Sequence, residues 1–401
     1  MEGLFSRPVF AGFGPDGLDP TSPPSPLHRA MGRRPGVLRA AVRAECSRRP
    51  GVYGMLDETG RLIYVGKAKS LRARLLSYFR PNSRDDKAGR ILQHTRTLVW
   101  EIVPSEFAAL LRELELIRRW RPRFNVQGQP QRRRHTYVCV GRRPAPYVFL
   151  SSRPAAHVLA CFGPVPGDER AREAVRRLND GFALRDCPQK QEMIFADQGE
   201  LFPEARAAGC LRHEIGTCLG PCAAACTQAA YARRVGEARA FLEGTDGALL
   251  AALERDMTAA SAALAFERAA ALRDRLQALQ WLGGHLARLR QLRQGQSFVY
   301  PVRGPEGGEV WYLIHQGRVS ASRPAPSPET APRTAALIEA LYRRRFPPGA
   351  ALAGNEVDGV LLVAAWFRKY PQERARVLAP EQARALCAPS HPAARPAQTT
   401  A

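Results

Sequence analysis

The chain has 401 residues, and its 60 lysines and arginines against 37 aspartates and glutamates give a formal net charge of +23. The charge favours a polyanionic partner such as nucleic acid, although an arginine-rich proteome would account for part of it. The sequence has no apolar run of about 18 residues and no basic segment leading into an apolar one at its start. We therefore expect no membrane span and no secretion, and a cytoplasmic, nucleoid-associated protein.

The first 34 residues are expected to be disordered. They include the stretch GFGPDGLDPTSPPSP, in which glycine, proline and serine predominate. Such a composition buries too little apolar surface to offset the conformational entropy of ordering.

Residues 35–127 are predicted to form one compact α/β unit. The runs GVYGML and RLIYVG are rich in strand-forming residues and flank DETG, which has the aspartate and glycine of a turn. Ser70 can cap a helix with an apolar stripe that includes Leu71 and Leu75. TLVWEIV is a further strand, and Ser105 can cap a second amphipathic helix.

The predicted hairpin and first helix bring phenols and cations together. Arg74 and Tyr78 are four residues apart and share a helix face that should border the hairpin. They would then converge on a shallow site with Tyr53, Tyr64 and Lys67. Cations stabilise charge on phosphate oxygens, and a phenol near a cation can accept a proton from water, so the set suits a phosphodiester. Two half-buried tyrosines beside a solvated basic face would give the same spacing.

Metal-assisted hydrolysis also needs a carboxylate. The second helix offers Glu106, Glu113 and Glu115. Glu113 and Glu115 lie at opposite edges of its apolar stripe, so helical periodicity does not choose between them.

Residues 128–230 read as a basic linker, two strand-like runs and a cysteine-rich region. Its cysteines follow the spacing C-x22-C-x7-C-x3-C, at Cys187, Cys210, Cys218 and Cys222. The spacing lacks the paired CxxC of a zinc ribbon, so zinc is one alternative, a 4Fe–4S cluster is a second, and inert buried thiols are a third. Cys226 is an alternative fourth ligand.

The rest of the chain divides into three parts. Residues 231–290 are helical and alanine-rich, with an apolar side that suits an antiparallel helix pair. Residues 291–345 begin with a hairpin, SFVYPV and EVWYLIHQGRV, and form a small β/α segment. Residues 346–401 are a Pro/Ala-rich tail. The fold class expected for the whole is α+β and multidomain, with disordered tails.

The N-terminal motifs resemble a known family. GVY and YVG, ten residues apart and followed by KAKSLRARLLSYF, resemble the motif pair of the GIY-YIG nucleases. With SEFAALLRELELIRRWRPRFN they most resemble the nuclease domain of UvrC proteins, the incision subunits of bacterial excision-repair excinucleases.

That resemblance implies roles for single residues. Tyr53 and Tyr64 match the motif tyrosines, Arg74 the catalytic arginine, and Glu113 the metal-binding glutamate. Glu113 is selected because it precedes the family asparagine, Asn125, by twelve residues. Lys67 and Tyr78 complete the catalytic set, and the implied metal is Mg²⁺ or Mn²⁺.

Two further segments share the resemblance. The cysteine run is similar to the region that UvrC proteins associate with an iron–sulfur cluster, which favours 4Fe–4S over zinc. AFERAAALRD resembles the UVR motif, through which UvrC and UvrB associate. The residues that carry this partner-binding match are Phe266, Glu267, Ala269, Ala270 and Arg273.

The function implied is a metal-dependent endonuclease that makes one incision, on the 3′ side of a lesion in double-stranded DNA. UvrB would recruit it, with UvrA acting earlier. We find no pattern of an RNase H-like nuclease or of a helix-hairpin-helix pair, so a second incision is not expected. The alternatives are a non-catalytic adaptor that binds DNA and UvrB, and a GIY-YIG nuclease of another DNA-processing pathway.

Overall fold

The computed structural model describes residues 10–20, 22–80, 87–125, 135–142, 144–154, 157–188, 190–198, 210–343, 351–352 and 354–388. The chain divides into two compact units, one formed by residues 1–129, 293–345 and 358–401, and the other by residues 130–292 and 346–357. Both units combine helices with a sheet, so the predicted α+β multidomain class is confirmed. None of the helices in the described residues is long and apolar enough to cross a membrane.

The first sheet of the first unit is antiparallel throughout. Its strands are β1 (Leu27–Met31), β2 (Gly51–Leu56), β3 (Leu62–Ala68) and β4 (Thr97–Ile102), in the order β1-β4-β2-β3. The predicted hairpin is confirmed as β2 and β3. The Asp57 carboxylate accepts backbone N–H groups of Thr59 and Arg61 in the turn, and Gly60 supplies a positive φ of 75°.

Helices cover both faces of this sheet. The helices of this part are α1 (Pro35–Glu45), α2 (Leu71–Ser77), α3 (Lys87–His94) and α4 (Glu106–Trp120). Helices α1 and α2 pack on the face that carries Tyr53, Met55 and Trp100. Helix α4 packs on the other face, and its predicted cap is confirmed, because the Ser105 hydroxyl accepts the Ala108 N–H at 3.0 Å.

The second unit packs helices against a three-stranded antiparallel sheet. Its strands are β5 (His135–Val140), β6 (Val148–Ser151) and β7 (Ala160–Pro166), in the order β6-β5-β7. Its helices are α5 (Glu169–Gly181), α6 (Leu211–Glu214), α7 (Gln228–Glu243), α8 (Ala248–Ala262) and α9 (Phe266–Arg293). Buried leucines of the α8–α9 hairpin, among them Leu253 and Leu279, share one core with β5 and α5. That shared core explains why the hairpin is apolar on one side.

The first unit ends with a second antiparallel sheet and three helices. The elements are β8 (Phe298–Arg303), β9 (Glu309–His315), β10 (Arg318–Pro324), α10 (Ala331–Tyr342), α11 (Gly354–Lys369) and α12 (Pro380–Ala385). The predicted hairpin of SFVYPV and EVWYLIHQGRV is confirmed as β8 and β9, but the second run also contains a turn and the start of β10. Gln316 and Gly317 both have positive φ, 49° and 79°, and form the tight turn between β9 and β10.

Aromatic side chains join the two sheets of the first unit across α4. Phe107 is fully buried, and its ring lies edge-on to Tyr300 at 5.2 Å and to Tyr312 at 5.0 Å between centroids. Trp366 of α11 contacts the same ring at 5.2 Å. Burial of a ring this size contributes about 2–3 kcal/mol to folding stability. Packing against the C-terminal sheet therefore stabilises α4.

Two expectations about the ends of the chain differ from the structure. Residues 1–34 were expected to be disordered, but residues 27–31 form β1, and Phe10 and Phe13 are buried. Arg112 and Arg119 donate to the carbonyls of Pro15 and Phe13, so donors from α4 bind a segment poor in regular structure. The expected tail instead contains α11 and α12. Helix α11 is held in place because its apolar face contributes Trp366 and Phe367 to the core. Residues 1–9 and 389–401 lie outside the described residues.

Candidate active site

Three of the predicted site residues form one hydrogen-bonded group. The hydroxyls of Tyr53 on β2 and Tyr78, the C-terminal cap of α2, are 2.9 Å apart. Arg74, one turn earlier on α2, donates from Nε to the Tyr53 hydroxyl at 3.2 Å and from Nη2 to the Tyr78 hydroxyl at 3.4 Å. Its guanidinium also lies 5.1 Å from the centre of the Tyr78 ring. Phenols and guanidinium therefore hold one another in a fixed arrangement, which the spacing of Arg74 and Tyr78 predicts.

A glycine makes room for this group. Gly66 on β3 is the register partner of Tyr53 on β2. A Cβ atom at Gly66 would collide with the hydroxyl and ring of Tyr53. The glycine that closes the second motif is thus required by close packing, since any other side chain would displace the phenol that Arg74 binds.

Tyr64 is the third phenol of the site. Its ring centre is 6.2 Å from that of Tyr53 and 6.4 Å from that of Tyr78. Burial raises the pKa of Tyr64 above its usual range, the neighbouring Tyr78 adds to the rise, and Arg74 opposes it. Burial likewise raises the pKa of Tyr53 and of Tyr78. At neutral pH the three phenols are therefore protonated, and each can donate a hydrogen bond.

The structure separates the two glutamates that periodicity left open. Glu113 lies on α4 near Lys67, and its carboxylate accepts the Lys67 backbone N–H. Burial raises the pKa of Glu113 above its ordinary value, while the positive charges of Lys67 and Arg74 oppose that rise. Glu115 instead pairs with Arg112 at 2.7 Å and with Arg119 at 3.7 Å. Of the two, Glu113 is the one that lies beside the tyrosine and arginine group.

Asn125 connects the end of the domain to β3. Its side-chain oxygen accepts the Val65 N–H at 2.9 Å, and its side-chain nitrogen donates to the Val65 carbonyl at 2.8 Å. Val65 lies between Tyr64 and Gly66, so Asn125 fixes the backbone that carries both. Asn125 thus supports the site through the backbone of β3.

A cluster near the site was not predicted. Lys69, in the loop between β3 and α2, pairs with Glu106 at 2.8 Å. The Tyr370 hydroxyl bonds the same carboxylate at 3.2 Å. Glu106 and Tyr370 are 264 positions apart in the sequence, so no local sequence pattern signals this contact.

The predicted cysteines are neighbours in the second unit. Burial raises the pKa of Cys187, with a further rise from nearby Cys222, and burial raises the pKa of Cys218, with further rises from Cys187 and Cys210. The Gly220 N–H donates to Cys218 Sγ at 3.4 Å. Cys226 has its pKa raised to about 11, by burial first and then by Cys218. Within the described residues, however, no three His, Cys, Asp or Glu side chains are placed to hold a metal ion.

The predicted partner-binding residues lie at the tip of the α8–α9 hairpin. The Phe266 side chain is 64% exposed and the adjacent Leu264 is 72% exposed. Glu267 and Arg273 are exposed, while Ala269 and Ala270 are half-buried. Phe266 is therefore not part of the internal core of the described residues.

Known protein families match the chain in three consecutive segments. Residues 49–126 match the UvrC-like GIY-YIG domain, residues 136–241 the middle domain of UvrC/Cho excinuclease, and residues 247–280 the UvrB/uvrC motif. The order of these segments is the one expected from the sequence motifs.

Several individual proteins are similar over most of the chain. UvrABC system protein C of Desulforudis audaxviator is 32% identical over 84% of this chain and 54% of that protein. Its counterpart in Desulfatibacillum aliphaticivorans is 31% identical over 82% of this chain and 54% of that protein. The chain thus spans about half the length of these relatives.

Among solved structures, the GIY-YIG N-terminal endonuclease domain of UvrC from Thermotoga maritima, bound to magnesium as its catalytic divalent cation, is 36% identical. The match covers 22% of this chain and 94% of that domain, with a TM-score of 0.20, which is too low to support a structural argument. The three family matches and the relatives that cover most of this chain identify its family without this structure. The chain belongs to the UvrC-like proteins of the GIY-YIG nuclease family.

Proposed function

We propose that this protein is a metal-dependent DNA endonuclease of nucleotide excision repair. It makes a single incision on the 3′ side of a lesion in double-stranded DNA, and UvrB recruits it after UvrA has acted. The observation that carries the proposal is the convergence of Arg74, the three phenols and the half-buried Glu113 carboxylate, which has no ion-pair partner among the described residues. The names of the relatives support an excision-repair substrate.

The residues present fit a hard divalent cation. A half-buried carboxylate with a raised pKa gains most from a cation that takes the place of lost water. Glu113 is a single oxygen ligand, which suits Mg²⁺ or Mn²⁺, because Mg²⁺ usually keeps several waters and also takes substrate phosphate oxygens. When bound at Glu113, the cation supplies Lewis-acid stabilisation of charge on the scissile phosphate and on the leaving oxygen.

The side chains of the chain divide the remaining work. Arg74 neutralises the charge that develops on the phosphate oxygens, and the Tyr53 and Tyr78 hydroxyls orient water and phosphate. Tyr64, assisted by Lys67, would receive the proton of the attacking water as a phenolate, after its own proton has left to solvent. Because the pKa of Tyr64 is raised in the free protein, this role depends on positive charge close to the phenol. Asn125 holds the strand that carries Tyr64.

The cysteine region is proposed to hold a 4Fe–4S cluster through Cys187, Cys210, Cys218 and Cys222, with Cys226 as an alternative to Cys187 and zinc as the alternative metal. Four or five neighbouring thiols, with an N–H donated to Cys218 Sγ, are the donor set that such clusters use. The ligating geometry would have to close on binding, since no metal-binding group is formed among the described residues.

Two other functions explain less of the structure. A non-catalytic adaptor would bind DNA and UvrB but would have no use for Glu113 beside Arg74. A GIY-YIG nuclease of another pathway would have no use for the exposed apolar tip at Leu264 and Phe266. An excision-repair nuclease therefore explains more of these features than either alternative.

The first prediction concerns the two glutamates of α4. We expect Glu113→Gln to lower the incision rate about a hundredfold or more, as does loss of other groups that stabilise transition-state charge. Arg74→Ala should act similarly, and duplex binding should change little, because it is distributed over many basic residues. Incision of a lesion-bearing duplex with UvrA and UvrB measures the rate, and gel shift measures binding.

Glu115→Gln is the matched control and should keep near-normal incision. Full incision by Glu113→Gln would contradict the metal assignment.

The second prediction concerns the cysteines. Protein purified without oxygen should be brown and contain about four irons per chain. Cys218→Ser should lose most of the iron. Cys161→Ser is the control, because Cys161 lies 3.3 Å from Cys139 on the sheet of the same unit and belongs to no proposed ligand set. One equivalent of zinc in a colourless protein would favour the zinc site. A protein that contains neither iron nor zinc would indicate inert buried thiols.

The third prediction concerns recruitment. Truncation of an aromatic interface anchor typically costs about 2 kcal/mol, or about 30-fold in affinity, so Phe266→Ala should weaken UvrB binding by at least that factor. Its exposed ring predicts an unchanged melting temperature. Leu159→Ala, which alters an exposed leucine elsewhere in the same unit, should leave UvrB affinity unchanged. Normal UvrB affinity in Phe266→Ala would rule out the hairpin tip as the docking site.

A further inference from the structure

Four exposed arginines lie on the outer face of α1 or directly before the helix. Arg33 and Arg34 directly precede the helix, and Arg39 and Arg43 lie one turn apart on it. All four are exposed, while Leu38 and Val42 on the opposite side are buried in the core. None of the four arginines forms an ion pair with another residue in the described part of the chain.

Several arginines on other helices of this chain are paired with carboxylates. On α5, Arg172 pairs with Glu169 at 2.7 Å. On α7, Arg234 pairs with Glu237 at 3.0 Å and Arg239 with Glu243 at 2.8 Å. The four arginines at α1 have no such carboxylate partner among the described residues. The charge of α1 therefore remains available to an external anion.

Small side chains lie between the arginines of α1. An open depression of about 550 Å³ is lined by Arg39, Arg43, Gly36, Ala40 and Ala44. No side chain on its floor extends beyond Cβ, so a polymer backbone can approach the helix itself. Arg39 and Arg43 are one turn apart, about 6 Å between Cβ atoms, and can bind neighbouring charges of a regular polyanion.

Helix α1 is also attached to the helix that carries Arg74. Both helices pack on the same sheet face, with Leu38 of α1 and Leu75 of α2 in one core cluster. The segment after α1 accepts two backbone N–H groups of α2, Leu71 N–H to the Arg49 carbonyl and Arg72 N–H to the Ser47 carbonyl, each at 3.0 Å. The helix that carries the arginine face is therefore attached through core packing and backbone hydrogen bonds to the helix that carries Arg74.

We propose that the outer face of α1 binds the sugar–phosphate backbone of the DNA duplex beside the scissile phosphate. Arg39 and Arg43 contact successive phosphates, Gly36, Ala40 and Ala44 admit the backbone, and Arg33 and Arg34 extend the positive surface. Arginine contacts to phosphate position a protein on the duplex without reading its sequence, which suits a nuclease that must act in any sequence. The inference rests on the proposed function only in taking DNA as the substrate.

The test is binding to a fluorescein-labelled, undamaged DNA duplex, measured by anisotropy in EDTA so that no incision occurs. In Arg39→Ala/Arg43→Ala, the slope of log K against log salt should become shallower by about 2, because two phosphate contacts are lost. Between about 50 and 200 mM salt, the variant should therefore lose about tenfold less affinity than the wild-type protein. Arg39→Lys/Arg43→Lys keeps the charges and should restore most of the slope.

The control is Arg234→Ala/Arg239→Ala, which removes the same formal charge from ion-paired positions on α7 and should leave the slope unchanged. A slope unchanged in Arg39→Ala/Arg43→Ala, or reduced equally in the control, would overturn the proposal. If the arginine face of α1 instead binds an acidic protein surface, the salt slope of DNA binding would be unchanged in the variant, and the proposal would likewise be overturned. Because no catalysis is measured, failure here is distinguishable from failure of the nuclease assignment.

Discussion

Close packing of the Tyr53 phenol against Gly66 is the constraint on which the candidate site depends. The two residues are partners on β2 and β3, and only a glycine leaves room for the ring and its hydroxyl. Once the hydroxyl is fixed there, Arg74 and Tyr78 on α2 can both bond to it, which orients the helix on the sheet. A guanidinium is thereby held beside three neutral phenols.

The other half of the site depends on where α4 lies. Glu113 approaches Lys67 only because α4 packs on the sheet, and α4 is held from behind by aromatic residues of the C-terminal sheet and α11. Arg112 and Arg119 on the same helix bind backbone carbonyls of the N-terminal segment. Segments distant in the sequence therefore set the position of the Glu113 carboxylate. The contacts of Glu106 with Lys69 and Tyr370 also link the C-terminal segment to the loop that follows β3.

Much of the fold follows from local pattern. The hairpin of β2 and β3, the Ser105 cap and the helix pair α8–α9 were predicted from strand formers, capping chemistry and apolar spacing, and the structure confirms them. The choice between Glu113 and Glu115 was beyond periodicity, because the ion pairs of Glu115 with Arg112 and Arg119 are tertiary contacts and helical spacing alone could not rank them. Strand β1 was missed because its order derives from pairing with β4 within a segment of disorder-prone composition. The roles of the site residues remain predictions.

The most direct test of the account is a map of the strand breaks made in an end-labelled duplex with one bulky lesion, in the presence of UvrA, UvrB, ATP and Mg²⁺. A metal-dependent nuclease that makes a single 3′ incision predicts one break, on the 3′ side of the lesion in the damaged strand, that disappears when Mg²⁺ is chelated during the final step. Breaks on both sides of the lesion would contradict the single incision. No break, with UvrB binding intact, would contradict the nuclease and favour an adaptor.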